Sequence, residues 1–379
     1  MLSLLFNEEF VVLVSIAVIY FIAWTIVEKR KDLAEKWGLS LDGLAIMLKT
    51  ERLNTFIERC GLKYSRFFRL IGDIGIVVGI FLSIYGMYFL HMNLLSLVYR
   101  TPTASPVTPI IPGITIGLST IPYFAIAAFI VLLPHELMHA LVAVAEKIKV
   151  KSTGIFLLFV IPGGFAEIDE DELAKRSFRS QARVFSAGSL ANIATFAIIA
   201  LLMPLLIYPT GVIVQDTLQG YPAENVLKPG DILVEINGEP VRTITDLGNI
   251  LSKYGPGERI SLTVVRQGEK IHISIVLASN PTNNSRGFIG AYFTQAMNNP
   301  MLFNALWWSA VATSSVAIIN MLPIYPLDGG RVMESFFRKV LKGEKTARII
   351  SYALTLYFAG ILISNMILSF SLFGLRPFP

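Results

Sequence analysis

The stretch Val131 to Ala143 reads V-L-L-P-H-E-L-M-H-A-L-V-A, with two histidines four residues apart and a glutamate directly after the first. A helix turns 100° per residue, so His135 and His139 share one face and can reach the same cation while Glu136 sits beside it. That donor set suits Zn2+, with the carboxylate placed as a base toward water. A catalytic zinc takes three protein ligands and keeps one position open. Cys60 is the only cysteine, which removes a thiolate cluster and any intrachain disulfide. Of the four histidines, the two outside the motif are poorly placed: His91 is near the outer end of an apolar run and His272 lies in a β-rich segment. Asp328, in N-M-L-P-I-Y-P-L-D-G-G-R from Asn320 to Arg331, is the better third ligand.

These residues must be carried to a common depth. The chain has 379 residues, 54% hydrophobic and 16% charged, with a mean hydropathy of +0.61. Soluble domains carry about one-quarter charged residues, so this composition indicates a polytopic α-helical membrane protein. Six runs approach the roughly 20 apolar residues that cross a bilayer. They are Phe10 to Val27, Ile74 to Val98, Ile121 to Ala145, Val184 to Tyr208, Leu302 to Pro323 and Ile349 to Leu372. About six transmembrane helices are therefore expected, the first retained as an anchor because Glu8 and Glu9 stand where a secretory signal would be basic.

The net charge of +5 is dispersed between the runs, which reads as membrane orientation and gives no sign of a nucleic-acid partner. Glu28 to Leu70 is rich in Lys and Arg and is expected inside the cell. Lys147 to Arg183 and the group Arg331, Arg338, Lys339, Lys342, Lys345 and Arg348 then fall on the same side, and both termini and Pro209 to Met301 outside. Lys147 lies two turns beyond His139 and Arg331 three residues beyond Asp328, so charge brings the third ligand to the depth of the first two. An ionised Glu136 at membrane depth costs about 2.5 to 3.5 kcal/mol, which a nearby cation would offset. Pro134 cannot donate to the Ile130 carbonyl; it either opens the helix beside the metal or simply kinks it.

Pro209 to Met301 changes character and reads as β-rich. Gly211 to Thr217 reads as a strand and Asp231 to Val241 as a hairpin turning at Asn237-Gly238. Thr245 to Tyr254 reads as a short helix capped by Thr243 or Thr245, and a second hairpin turns at Gln267-Gly268. The string G-Y-P-A-E-N-V-L-K-P-G-D-I-L-V-E-I-N-G-E-P-V resembles the PDZ domains of proteases over Gly211 to Ser279. Such a module either takes up a peptide as an added strand or acts as a spacer.

Together, H-E-L-M-H at His135 to His139 and Asn320, Pro323, Leu327, Asp328 and Gly329 in N-x-x-P-x-x-x-L-D-G resemble the site-2 proteases, a family of intramembrane zinc metalloproteases. A-G-S-L-A-N at Ala187 to Asn192 is similar to the family's A-G-P-x-x-N, with Ser189 replacing Pro, and P-G-G-F-A-E-I-D at Pro162 to Asp169 to its membrane-embedded hairpin. The resemblance implies that His135, His139 and Asp328 bind zinc and that Glu136 activates water. It also implies that Asn192 faces the site, bonding either the substrate carbonyl or a neighbouring helix. Asn320 carries the same ambiguity.

The expected division is 1–120 as an N-terminal membrane region, 121–208 and 296–379 as the halves of a protease core, and 209–295 as a PDZ-like domain on the extracytoplasmic side of the cell membrane. Expected partners are the lipid bilayer and transmembrane protein substrates whose helices unwind for cleavage, with Gly154 to Glu167 offering a strand edge to the unwound chain. The competing readings are a catalytically inactive PDZ-bearing scaffold, a membrane protease for lipidated C-termini, and a metal transporter. The sequence is silent on oligomeric state.

Overall fold

Small residues at every third or fourth position let long helices pack closely, and the buried Gly72, Gly75, Gly79 and Gly86 form such a stripe on the helix Ser65–Tyr99. The computed structural model describes residues 8–43, 45–111, 115–158, 161–341 and 343–374. The start of the predicted first membrane region, the tip of the predicted hairpin and the charge at Lys342 lie outside them. The chain divides into two units, one up to Ala200 and again from Ala305, the other Leu201–Asn304.

In chain order the helices are α1 Glu8–Lys29, α2 Lys31–Trp37, α3 Glu51–Lys63, α4 Ser65–Tyr99, α5 Ile121–Ala145, α6 Glu170–Ala174, α7 Phe178–Leu206, α8 Ile244–Leu251, α9 Pro300–Asn320, α10 Asp328–Val340 and α11 Glu344–Phe373. Among the described residues, five of these are long and apolar enough to cross a membrane: α4, α5, α7, α9 and α11. Helix α1 covers the first predicted run and is not one of the five. Several helices outrun the apolar stretches that announced them. Helix α4 begins at Ser65, α7 at Phe178 and α11 at Glu344, so charged residues such as Asp73 and Arg183 belong to the same continuous rods.

Helix α5 is the most enclosed. Its buried Ala140, Leu141 and Val144 pack with Ile57 of α3, and Val142 and Ala143 with Val184 and Ala187 of α7. Phe124, Ala127 and Val131 meet Trp308 and Ala312 of α9. Helix α4 presents Gly75 and Gly79 to Ser186 of α7, where a Cβ would come within 3.3 Å of Ser186 at both positions. At its far end, Asn93 donates to Asn365 of α11 at 3.0 Å and to the Ser105 carbonyl at 2.9 Å, pinning the following loop.

A four-stranded antiparallel sheet lies in the same unit, in the order β1 Leu39–Asp42, β2 Ala45–Lys49, β3 Val150–Leu158 and β4 Ile161–Ile168. The β3–β4 pair is the predicted hairpin. The basic segment between the first two runs, expected only as a cytoplasmic loop, supplies β1 and β2, with Ile46 opposite Leu157. Strand β4 is an edge and runs against α5, and Gly163 and Gly164 make that approach feasible. A Cβ on Gly164 would sit 3.0 Å from Leu133 Cα, and one on Gly163 2.7 Å from a Leu132 methyl.

The second unit is a sheet in the order β12 Ala291–Met297, β5 Pro209–Thr217, β6 Ile232–Ile236, β8 Arg259–Arg266, β9 Glu269–Val276, with β7 Glu239–Pro240 paired to β6 and a separate pair β10 Ala278–Asn280 and β11 Asn283–Phe288. Val212, Val214, Leu233, Ile236, Leu262 and Val264 form its buried core with Leu247 and Ile250 of α8. Both predicted turns have positive φ at their two central residues, +48° and +82° at Asn237-Gly238 and +53° and +89° at Gln267-Gly268, the twist that matches tight hairpins. Helix α8 starts one residue earlier than expected and is capped by Thr243, whose hydroxyl accepts from Asp246 N–H while Asp246 returns the bond. The sequence resemblance stopped at Ser279. Strand β12, beyond it, extends the sheet by one edge strand paired with β5.

Candidate metal centre

One turn apart on α5, His135 and His139 are buried and direct their Nε2 atoms to the same point, 3.1 Å from each other. The third donor arrives from the first residue of α10: Asp328 Oδ2 is 3.3 Å from both Nε2 atoms. A tetrahedral cation with bonds of about 2.0 to 2.1 Å needs donors about 3.3 Å apart. Asp328 Oδ2 is also buried without a hydrogen-bond partner among the described residues, an orphaned acceptor that a cation would satisfy. These three residues therefore fit a metal ion.

The local sequence explains how Asp328 gets there. A Cβ on Gly329 would lie 2.2 Å from the Met321 carbonyl oxygen, and one on Gly330 2.4 Å from the Ile324 carbonyl carbon, so only glycine lets α10 begin against that segment. On the opposite side α7 presses Gly188 onto the pair, where a Cβ would be 2.3 Å from His139 Nε2. Glycine at this point keeps the donors clear.

Helix α7 also supplies outer partners. His139 Nδ1 donates to the Val184 carbonyl at 2.6 Å, and Asn192 Nδ2 lies 3.0 Å from His135 Nδ1. Asn320, at the end of α9, brings its Nδ2 to 3.2 Å from His135 Nε2, on the donor side. Glu136 is half-buried and faces a cavity of about 640 Å³ with His135, His139 and Asp328. Asn320, Arg331 and the β4 residues Ala166, Glu167 and Ile168 are among the other residues of that wall. Asn192 is not among the residues facing it.

The remaining histidines lie elsewhere. His91 Nε2 is 2.9 Å from the Tyr357 hydroxyl, between α4 and α11, and His272 Nδ1 is 3.1 Å from Thr263 Oγ1 on β8. Sequence reasoning missed Val184, whose role rests on a backbone carbonyl, and a charged cluster beside it. In that cluster Arg183 donates to Asp73 of α4 at 2.6 and 2.8 Å and to Glu146 after α5 at 2.7 Å. Arg183 was visible only as one of the charges expected inside the cell, and Asp73 was not singled out.

The sequence profile of peptidase family M50 matches residues 123–373, from α5 through α11. An uncharacterized protein of Methanocaldococcus jannaschii is 30% identical over 349 residues, 89% of this chain and 88% of that one. A membrane-bound transcription factor site-2 protease homolog of Arabidopsis thaliana is 27% identical over 203 residues, which is 50% of this chain and 39% of that protein. Among solved structures, the PDZ domain of an SdrC-like protein from Listeria monocytogenes is 21% identical and covers 22% of this chain and 88% of its own, with a TM-score of 0.21. On the span of that profile, which contains the histidine pair, Glu136 and Asp328, this chain belongs to peptidase family M50.

Proposed function

We propose that the chain is a zinc metalloprotease of the site-2 type, hydrolysing peptide bonds within or near transmembrane segments of membrane-anchored proteins. The observation that carries this reading is the convergence of His135, His139 and Asp328 at tetrahedral spacing beside Glu136, inside a unit of long apolar helices. Zinc held there would polarise the scissile carbonyl and acidify water. Glu136 takes the proton from the attacking water and returns it to the leaving amine. We assign to Asn320, which lines the cavity, donation to the carbonyl oxygen as its charge develops.

Strand β4 is the edge of its sheet, and its Ala166 to Ile168 line the same cavity, which supports the reading that an unwound substrate adds to β4 as a further strand. The positive charge on Glu28 to Leu70 and beyond Arg331 supports a PDZ-like unit outside the cell, in a multi-pass protein of the cell membrane. We assign that unit to substrate selection, with the chemistry in the residues before 209 and after 295.

The test is Glu136→Gln in purified protein, with zinc content and cleavage of a transmembrane substrate measured together. Cleavage should vanish while zinc stays near the wild-type amount, because Glu136 is the base and not a ligand. Full cleavage by the variant would overturn the mechanism.

A further inference from the structure

We infer that Asn192 is a positioning residue of the metal centre: its side-chain oxygen accepts the Nδ1 proton of His135 and so holds that imidazole with Nε2 toward Asp328 and His139. The inference rests on the zinc reading and adds to it a role for Asn192 different from substrate contact.

Both histidines present Nε2 to Asp328 Oδ2, 3.3 Å away in each case. A neutral imidazole that offers its lone pair at Nε2 carries its proton on Nδ1, and that N–H needs an acceptor in a buried site. For His139 the acceptor is the Val184 carbonyl at 2.6 Å, which has no proton to give, so its tautomer is fixed. The group facing His135 Nδ1 at 3.0 Å is the carboxamide of Asn192, with Nδ2 on the near side. Two N–H donors cannot bond to each other. Turning the amide by 180° exchanges its nitrogen and oxygen at almost no steric cost and brings Oδ1 to the His135 proton.

The same turn resolves a second discrepancy. Asn192 is fully buried and its Oδ1 has no partner among the described residues. An unpartnered buried oxygen is destabilising, because its water is lost without a replacement. Asn192 does not line the cavity that holds Glu136, whereas Asn320 does. Helix α7 thus provides both outer acceptors, Val184 for His139 and Asn192 for His135, and its Gly188, midway between them, permits the close approach. Outer hydrogen bonds of this kind orient ligand imidazoles, and their loss typically weakens metal affinity about 10- to 100-fold.

The experiment measures zinc affinity of the purified full-length protein by competition with a chromogenic chelator, for wild type, Asn192→Asp and Asn192→Ala, with thermal unfolding as a check on folding. Aspartate keeps an acceptor and removes the donor, so Asn192→Asp should bind zinc within about threefold of wild type or more tightly. Asn192→Ala should lose about 10- to 100-fold. A substrate-contacting amide predicts the reverse: unchanged zinc affinity in Asn192→Ala, and zinc-loaded Asn192→Asp without activity. Wild-type affinity in Asn192→Ala, or equal loss in folded Asn192→Asp, would overturn the assignment. If Asn192→Ala does not fold, Asn192→Asp decides alone. A wild-type protein that binds no zinc would instead bring down the metalloprotease reading, and this assignment with it.

Discussion

Asp328 contributes one oxygen to the donor set, and no other described His, Cys, Asp or Glu joins the two histidines. Asp328→Ala should therefore lower zinc affinity at least tenfold, a loss of about 1.4 kcal/mol or more, read by metal analysis and chelator competition. Unchanged affinity would remove Asp328 from the site. Gly188→Ala is the sharper steric test, because the added methyl would have to occupy space 2.3 Å from His139 Nε2. It should displace the histidines and cut zinc occupancy in protein that still unfolds cooperatively, at a stability cost of about 1 to 3 kcal/mol. At this scale the histidine motif was legible because four-residue spacing is a local property of a helix. Asp328 was legible through matching depth, inferred from Lys147 and Arg331. Val184 was not, since any residue carries a carbonyl, and Gly188 was only part of a family pattern, its closeness to the imidazoles being a property of the folded chain alone.

Helices α4, α5 and α7 are joined at one end by the Asp73, Arg183 and Glu146 bridge, and Arg183 is the neighbour of Val184. Replacing Arg183 by Ala removes the nearest cation from Glu146, whose side chain is only 9% exposed and would keep Ser180 and a 3.9 Å contact with Arg69, while Asp73 keeps two bonds from Arg179. The expected loss is about 3 kcal/mol, at the lower end for broken buried pairs because Asp73 is partly exposed, measured as a lowered unfolding midpoint in detergent. Arg183→Lys should not restore it, since one ammonium cannot reproduce the two-pronged contact with Asp73. Hydropathy ended the runs at these charges, yet the helices continue, because ion pairing at the helix ends compensates what an apolar window counts as a break. In the second unit Asp231, 1% exposed, accepts two bonds from Arg266, both at 2.7 Å, and one from Lys228 N–H at 2.8 Å. Burial alone would raise its pKa, but the Arg266 pair and the amide outweigh it and hold the carboxyl below the usual carboxylate range. That stabilisation is complete above about pH 4, where an unfolded aspartate is ionised, and is lost as pH falls through the lowered folded value. Amide exchange across β6 and β8, corrected for its intrinsic pH dependence, should stay flat from pH 7 to 5, rise below 4, and already be raised at neutral pH in Asp231→Asn. The two hairpins of this unit were legible from Asn-Gly and Gln-Gly turns. Strand β12 was not, because the turn-rich stretch from Asn280 to Gly287 separates it from the alternating pattern before it.

For the whole molecule, charge predicts which surfaces water reaches from each side. Ser252→Cys and Lys345→Cys, each in a Cys60→Ser background, should differ in intact cells: a thiol reagent that cannot cross membranes should label the first and not the second. The opposite result would invert the orientation. Removing the PDZ-like unit should follow the whole sheet, from β5 to β12, and replacing 209–297 by a short flexible linker should preserve zinc binding and cleavage of a short transmembrane peptide while altering choice among substrates with bulky outer domains. A folded, zinc-loaded deletion variant that cleaves nothing would make the unit part of the catalytic assembly. The pairing of β2 with β3 bears on how such a chain is made. Ile46 and Leu157 are partners separated by about 110 residues, and at roughly 5 to 20 residues per second the ribosome delivers the second about 5 to 20 s after the first. A two-stranded hairpin is marginal alone in water, so β1 and β2 wait with an open edge until the histidine-bearing helix has emerged and been threaded into the bilayer. The sheet that borders the cavity thus forms only after the histidine-bearing helix has been synthesised, which gives biogenesis an order: synthesis of that helix first, then closure of the strand edge beside the candidate metal ligands.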